Sequence, residues 1–276
     1  MFRKYFLSVI ALLILVVSQM GIVQAADTRN HAEDSAQSLL SAFTSYTDLR
    51  LLSVQQSLQI LASTPEARSL KWKKMEPLLR GYEKSGSGLI VWFVRPDGTY
   101  ATVDKGEMGV KLSDRSYFQP LMSGTTIDGE LVVSKSSGKR SVVIAVPMME
   151  GGKVVGAIGA SVFLEVLADQ VNAALALPAN ISFFALAPNG LTALHRKTNR
   201  EFLDPRDLGS ETLKKAANEM LTNPAGVTSY EFDNVTKRAV YRASPLTHWK
   251  FSASLNSPSR LISAWAPPHP PCGRAI

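Results

Sequence analysis

The sequence predicts an α+β fold, in which a long N-terminal helix precedes two modules of antiparallel sheet with covering helices. Three observations favour this fold. Apolar residues recur at helical spacing between residues 28 and 63, and β-rich runs separated by tight turns follow from residue 89. One turn motif also occurs twice, at residues 93–98 and 185–190. The composition agrees, since 45% hydrophobic and 19% charged residues are typical of a folded globular chain.

The first helical region is long enough to pass more than one packed unit. Neither Gly nor Pro interrupts it before Pro65, and about 35 residues at a rise of about 1.5 Å give a helix of about 50 Å. We expect it to run alongside more than one unit. A second helix is expected between residues 66 and 82, with a break or kink at Pro77, and the Gly-rich residues 85–88 close it.

The first module is predicted to contain a hairpin, a covering helical segment, three further strands and a closing helix. Leu89–Val94 and Thr99–Val103 form the hairpin around a Pro-Asp-Gly turn. Ser113 or Asp114 is expected to cap the covering segment. The remaining predicted elements are the covering segment Ser113–Gly124, the strands Glu130–Ser134, Ser141–Pro147 and Val154–Val162, and the helix Phe163–Leu177.

The second module repeats this order. Residues 185–190 echo residues 93–98, because each copy is an apolar strand followed by Pro, by Asp or Asn, and by Gly. A helix and a group of strands follow each copy, so we expect two units of similar topology. The later elements of the second unit are the helix Glu211–Leu221 and the strands Val227–Phe232, Arg238–Ala243 and Trp249–Leu255.

The charge balance, the few cysteines and histidines and the lack of catalytic motifs exclude several function classes. The chain of 276 residues has 30 Lys and Arg against 23 Asp and Glu, a formal net charge of +7. Its one cysteine, Cys272, cannot form an internal disulfide, and its four histidines are too scattered to form a metal site. We expect no cofactor. No nucleophile–base pair, P-loop or dinucleotide motif can be assembled, so we expect no enzyme. The short basic clusters favour a solvated surface over nucleic acid binding.

The N-terminus predicts export. Residues 1–25 combine Arg3 and Lys4 with an apolar run and small residues before position 26, which is typical of a secretory signal peptide. An uncleaved N-terminal anchor is the alternative, because the apolar run approaches the length of a membrane span. Both place the following residues in the periplasm or another extracytoplasmic space, in the second case anchored to the inner membrane. No later stretch is long and apolar enough for a second span.

Four segments of the first module carry a resemblance to a known family. They are Leu112–Phe118, Ser134–Lys139, Val143–Pro147 and Gly152–Gly159. With the long helix and two sheet modules, they resemble the double Cache (dCache) sensor domains of bacterial chemoreceptors and sensor kinases, over roughly residues 31–255. The resemblance implies two PAS-like modules and no catalysis. It also implies that a small molecule binds in the membrane-distal module, residues 26–177, whereas residues 178–255 form the membrane-proximal module.

The resemblance further implies that the ligand lies between the curved sheet and the segment covering it. Arg115 and Tyr117 fall on that segment. An Arg side chain offers a planar set of donors that suits a carboxylate, and a neighbouring aromatic side chain can stack or supply a hydroxyl. The further candidate ligand-binding residues are Asp114, Trp92, Ser134 and Ser161.

A structural interpretation of the covering segment is also open. In it, Asp114 caps the helix and pairs locally with Arg115, while Tyr117 and Phe118 belong to the core. For the second module, we expect packing or surface roles for the aromatic and imidazole side chains that could otherwise bind a ligand. These are His195, Tyr241 and Trp249.

The amino-acid-binding branch of the family is similar only in part. Arg115 matches the Arg of its Arg-x-Trp-Tyr motif, but Tyr117 stands in place of the Trp and Phe118 in place of the Tyr. Ser161 stands where that branch has an Asp for the ligand amine. Without that carboxylate, an ammonium group loses its main charge partner. We therefore expect a carboxylate or another neutral-to-anionic metabolite.

The function implied is signal transduction or chemotaxis through a membrane-bound signalling partner, and side-by-side pairing of two long helices would suit a homodimer. The alternative is a soluble periplasmic solute-binding protein that delivers its ligand to a transporter, although such proteins usually have two α/β lobes. Residues 256–276 predict a disordered Pro-rich tail. That tail would end either a stand-alone exported sensor or a receptor whose reading frame is truncated or shifted.

Overall fold

The computed structural model describes residues 34–177 and 181–256 and has the expected α+β architecture. Residues 34–62 form one helix, α1. Two helices follow, α2 (Pro65–Arg68) and α3 (Trp72–Ser85). The predicted signal peptide and the Pro-rich tail from residue 257 lie outside the described residues.

The larger sheet has six strands, all paired antiparallel, in the order β3-β2-β1-β6-β5-β4. Two helices belong to this unit, α4 (Phe118–Met122) before β4 and α5 (Leu164–Leu175) after β6. The strands are β1 (Leu89–Val94), β2 (Thr99–Thr102), β3 (Gly106–Lys111), β4 (Ile127–Val133), β5 (Arg140–Glu150) and β6 (Lys153–Phe163).

The smaller sheet has five antiparallel strands in the order β8-β7-β11-β10-β9. Helix α6 (Glu211–Thr222) covers it, after two 3-10 turns at Thr198–Arg200 and Pro205–Asp207. Its strands are β7 (Ile181–Leu186), β8 (Thr192–His195), β9 (Ala225–Phe232), β10 (Val235–Ala243) and β11 (Lys250–Asn256). This order equals that of the larger sheet without β3, so the predicted repeat is confirmed at the level of topology.

Each sheet separates two apolar layers. One core runs continuously from α1 and α3 through one face of both sheets, and it contains Phe43, Phe93 and Phe251. Two smaller clusters lie on the opposite faces, one around Trp92 and α4 and the other around Tyr230 and α6. The covering segments of the two sheets therefore lie in equivalent layers, away from α1.

Helix α1 contacts both units, as its length predicted. Gln55 Nε2 donates to Asp128 Oδ1 of the larger unit at 2.7 Å. Asp48 Oδ1 accepts from Ser244 Oγ of the smaller unit at 2.7 Å. One continuous helix thus supports both sheets.

Three details of the structure differ from the elements that the sequence predicts. Helix α3 continues through Pro77, and the break lies at residues 69–71, where Leu70 has a φ of 54°. Burial of Met75 and Leu79 on either side of Pro77 outweighs the one hydrogen bond that proline removes.

The covering segment is less helical than predicted. Residues 113–117 form consecutive turns, and α4 begins only at Phe118, so neither Ser113 nor Asp114 is its cap. Strand β3 was not predicted at all. It is largely exposed and contains two glycines, so it lacks the apolar alternation by which a strand is recognised.

Candidate functional site

A pocket lies between the larger sheet and its covering segment. Five of the six candidate residues line it, and only Asp114 does not. The lining residues are Trp92, Tyr100, Leu112, Arg115, Tyr117, Val132, Ser134, Lys135, Ser136 and Ser161. The cavity has a volume of about 20 Å³, which is room for about one water molecule. The pocket is therefore closed in this conformation.

The floor of the pocket is formed by two adjacent strands. Trp92 of β1 lies opposite Gly159 of β6, and its indole Nε1 donates to Ser161 Oγ at 3.2 Å. A Cβ atom at Gly159 would lie 2.2 Å from the Trp92 ring. Glycine at this position thus makes space for the indole, which covers the strand instead of projecting into the cavity.

The covering segment brings Arg115 and Tyr117 over this floor. The Tyr117 ring lies 6.3 Å from the Trp92 ring, tilted by 32°, and burial raises the pKa of its hydroxyl. Arg115 Nη2 donates to the Val133 carbonyl at 2.8 Å, whereas its Nε is buried without a hydrogen-bond partner among the described residues. A buried guanidinium donor without a partner costs free energy unless an acceptor occupies the pocket.

Asp114 lies at the rim of the pocket. Its carboxylate accepts a hydrogen bond from Lys135 Nζ at 2.6 Å, and this contact lowers its pKa. Asp114 thus forms an ion pair with Lys135, whereas the structural interpretation expects one with Arg115. Lys135 also donates to the Lys111 carbonyl at 2.6 Å, so these contacts tie the covering segment to the β4–β5 turn.

Hydroxyl groups form the remaining polar wall. Ser134 Oγ and Ser136 Oγ are 3.1 Å apart, and both side chains are buried. Tyr100 has a buried hydroxyl that lacks a hydrogen-bond partner in the described chain. Tyr100 is not among the residues predicted for the site, although the predicted hairpin places it opposite Val94 and hence on the same face as Trp92.

The chemistry of the lining favours an acceptor-rich ligand. It offers a guanidinium, a lysine ammonium, two tyrosine hydroxyls and three serine hydroxyls, and no carboxylate lines the part that the structure describes. Glu130, the nearby acid on β4, instead accepts from Ser116 Oγ at 2.7 Å. The described chain also contains no group of His, Cys, Asp and Glu side chains that could hold a metal ion.

The three second-module side chains with an expected packing or surface role lie in different surroundings. Trp249 is fully buried in the continuous core, and its indole donates to the Gly129 carbonyl of the larger unit at 3.1 Å. Tyr241 is buried and donates to Glu219 Oε1 at 3.2 Å. His195 lines a second pocket, in the smaller unit.

No protein-family model and no curated protein matches the chain. Solved structures do match it. The sensory domain of the Campylobacter jejuni chemoreceptor Tlp3 with isoleucine bound is 13% identical and superposes with a TM-score of 0.65, covering 87% of this chain and 97% of that one. The ligand-binding domain of the Pseudomonas fluorescens chemoreceptor CtaA in complex with L-serine is 15% identical, with a TM-score of 0.63 and coverages of 84% and 98%.

A third match is the extracellular domain of a protein assigned as the histidine kinase rpHK1S-Z16, which is 18% identical with a TM-score of 0.67 and coverages of 86% and 97%. Within the described ranges, no helix has the length and apolar character needed to cross a membrane. The helix, the two equivalent antiparallel sheets and these superpositions together show that the chain has the PAS-like double Cache fold.

Proposed function

We propose that this chain is an extracytoplasmic small-molecule-sensing domain that binds a small carboxylate-bearing metabolite in the pocket of the larger sheet. One observation carries the proposal. Two buried donors, Arg115 Nε and the Tyr100 hydroxyl, line the same pocket and have no partner within the described residues. Buried polar groups are normally hydrogen-bonded, so two such groups at one cavity favour a ligand that accepts from both.

The ligand class follows from the charges of the lining. Isoleucine and L-serine, which are bound in two of the similar structures, carry both a carboxylate and an ammonium group. Arg115 suits the carboxylate, but Ser161 and Ser134 give an ammonium no opposite charge. A carboxylate ligand without an amine therefore fits this pocket better than an amino acid does.

Binding requires the pocket to open. A cavity of about 20 Å³ holds no metabolite, so the covering turns at residues 112–117 would have to move away from the sheet. These turns are tied down by side-chain contacts, namely Arg115 to Val133 and Asp114 to Lys135. Because a ligand carboxylate would compete for these cations, occupancy would change the position of the covering segment.

The remaining parts of the proposal concern the assembly. We assign residues 26–177 to a membrane-distal module and residues 178–255 to a membrane-proximal one, and we propose that the protein catalyses no reaction. Because α1 packs against both units, a rearrangement of the distal module would reach the proximal one through this helix. We propose that a membrane-bound partner reads this change, and that α1 also forms the interface of a homodimer.

The proposal is tested by a thermal-shift screen of the purified chain against small mono- and dicarboxylates and against amino acids. We expect saturable stabilisation by a small acid. Arg115→Ala should weaken the affinity for that acid by roughly tenfold or more, since charge-assisted hydrogen bonds contribute about 1.5–3 kcal/mol.

Arg68→Ala is the matched control, because Arg68 is an exposed residue of α2 that does not line the pocket. It should leave the affinity unchanged. Equal affinity in the Arg115→Ala variant and the native protein would overturn the site, and turnover of the acid would overturn the proposal that the protein is no enzyme.

A further inference from the structure

The smaller sheet has a pocket of its own, in the layer equivalent to that of the first pocket. It lies between the sheet and the turns that precede α6, and its volume is about 40 Å³. That volume corresponds to two or three water molecules. The polar residues that line it are Ser182, Thr192, His195, Arg200, Tyr230 and Lys237.

Two cations line this pocket, and a single carboxylate acts on both of them. Arg200 Nη2 forms an ion pair with the exposed carboxylate of Asp233 at 3.0 Å. Lys237 is half-buried, with its Nζ 5.7 Å from the centre of the Phe232 ring, and it forms no ion pair with a residue that the structure describes. Burial lowers the pKa of Lys237, Asp233 raises it, and Arg200 acts in the same direction as burial. Two cations thus share one carboxylate, and the described lining of the pocket keeps a net positive charge.

His195 adds a neutral donor beside these cations. Its Nδ1 accepts the Lys197 backbone N–H at 2.8 Å, so the ring proton is on Nε2. Burial, with Arg200 and Lys237 nearby, lowers the pKa of His195 to about 3. The ring stacks on Phe184, with centroids 6.4 Å apart. At neutral pH, His195 is thus an uncharged hydrogen-bond donor in a positively charged, partly aromatic pocket.

We propose that this pocket is a second ligand site, which binds a short organic monocarboxylate of two or three carbons. Lys237 and Arg200 supply the charge for the carboxylate, and Thr192, Ser182 and His195 supply hydrogen-bonding groups. The apolar end of the ligand contacts aromatic side chains such as Phe184. The small volume excludes larger acids, whereas an acetate or propionate ion needs little rearrangement. This site is separate from the pocket of the larger sheet. The proposal of a second site therefore does not depend on the proposed function of the first pocket.

The test follows the histidine side chains of the ¹⁵N-labelled full chain by NMR during titration with sodium acetate, against sodium chloride at equal ionic strength. The His195 signal is identified by its loss in His195→Gln. We expect a saturable shift of this signal with acetate only. Lys237→Gln should weaken the apparent affinity by roughly tenfold or more, because it removes one of the two cations and with it the net positive charge of the lining. Thr192→Val, which preserves the side-chain volume, should weaken it by a smaller factor.

The matched control is Lys215→Gln, which removes an exposed lysine of α6 and should leave the titration unchanged. The proposal is overturned if the His195 signal does not respond up to about 100 mM acetate, a concentration far above a millimolar dissociation constant. It is equally overturned if Lys237→Gln and Lys215→Gln bind acetate alike.

Discussion

At the residue scale, the first pocket depends on the close approach of one glycine and one tryptophan. Gly159 lies directly opposite Trp92, and no side chain fits between the β6 backbone and the indole. The indole in turn donates to Ser161 and lies beside the Tyr117 ring. A change at Gly159 would therefore displace the floor and the covering residue together.

Gly159→Ala should lower the free energy of unfolding by about 1–3 kcal/mol, the usual effect of overpacking a core. Urea denaturation measures this change. Gly109→Ala is the control, because a Cβ atom at Gly109 meets nothing within 4 Å, and its stability should stay near that of the native protein. Equal effects of the two substitutions would show that the indole moves aside at little cost.

Tyr100→Phe separates a ligand-binding role from a structural one. The hydroxyl is buried without a partner in the described chain, so its removal should leave the stability of the free protein unchanged or raise it by up to about 1 kcal/mol. The affinity for the carboxylate ligand should fall. A clear loss of stability in the variant, measured by thermal denaturation without ligand, would instead indicate that the hydroxyl has a partner within the protein.

At the scale of elements, α1 combines a buried face with an exposed face of unusual composition. Its buried side contributes Leu40, Phe43 and Leu51 to the continuous core. Leu49 and Ile60 are exposed on α1, by 65% and 68%. Between residues 35 and 63 the only charged residues are Asp48 and Arg50, and both contact neighbouring segments. A water-facing helix normally carries charges, so this face is suited to contact with another helix.

Leu49→Glu should therefore weaken the homodimer that we propose, by roughly tenfold or more in its dissociation constant, because it buries an unpaired charge at the interface. Sedimentation equilibrium measures the association. Val110→Glu introduces the same charge at a residue of β3 that is 48% exposed, and should leave association unchanged. A native chain that stays monomeric at high micromolar concentration would rule out this interface.

At the scale of the whole molecule, an acidic cluster lies where the two units meet. Glu201 follows the first 3-10 turn of the smaller unit and is only 2% exposed, and its Oε1 has no hydrogen-bond partner in the described residues. Glu165 and Asp169 of α5 are close enough to raise its pKa, while Arg140 of β5 lowers it. Burial is the largest effect, and the resulting pKa of Glu201 is about 7.

This raised pKa predicts how stability changes with pH. Because the folded state holds the Glu201 proton more tightly than the unfolded chain does, this stabilisation is present below about pH 4.5 and is lost as the pH rises to about 7. The loss should be on the order of 1–3 kcal/mol, and Glu201→Gln should remove it. Urea denaturation at pH 5 and pH 7.5 tests this, and the same pH dependence in both proteins would contradict it.

The local pattern of the sequence by itself determined most of the secondary structure and part of the site. Strand β1, both hairpin turns and α6 follow from residues next to one another, because periodicity and turn chemistry act over a few residues. The resemblance brought Arg115, Tyr117, Trp92, Ser134 and Ser161 together, and the structure places these five in one pocket.

Only the tertiary structure decided which further groups join these residues and how much space they leave. Lys135 and Ser136 reach the pocket through the position of their turn, and the closed volume depends on how the covering turns pack. The continuation of α3 through Pro77 and the burial of Glu201 between the two units also depend on packing partners far away in sequence. Burial and close approach arise from contacts between distant segments, and a local sequence pattern carries no measure of them.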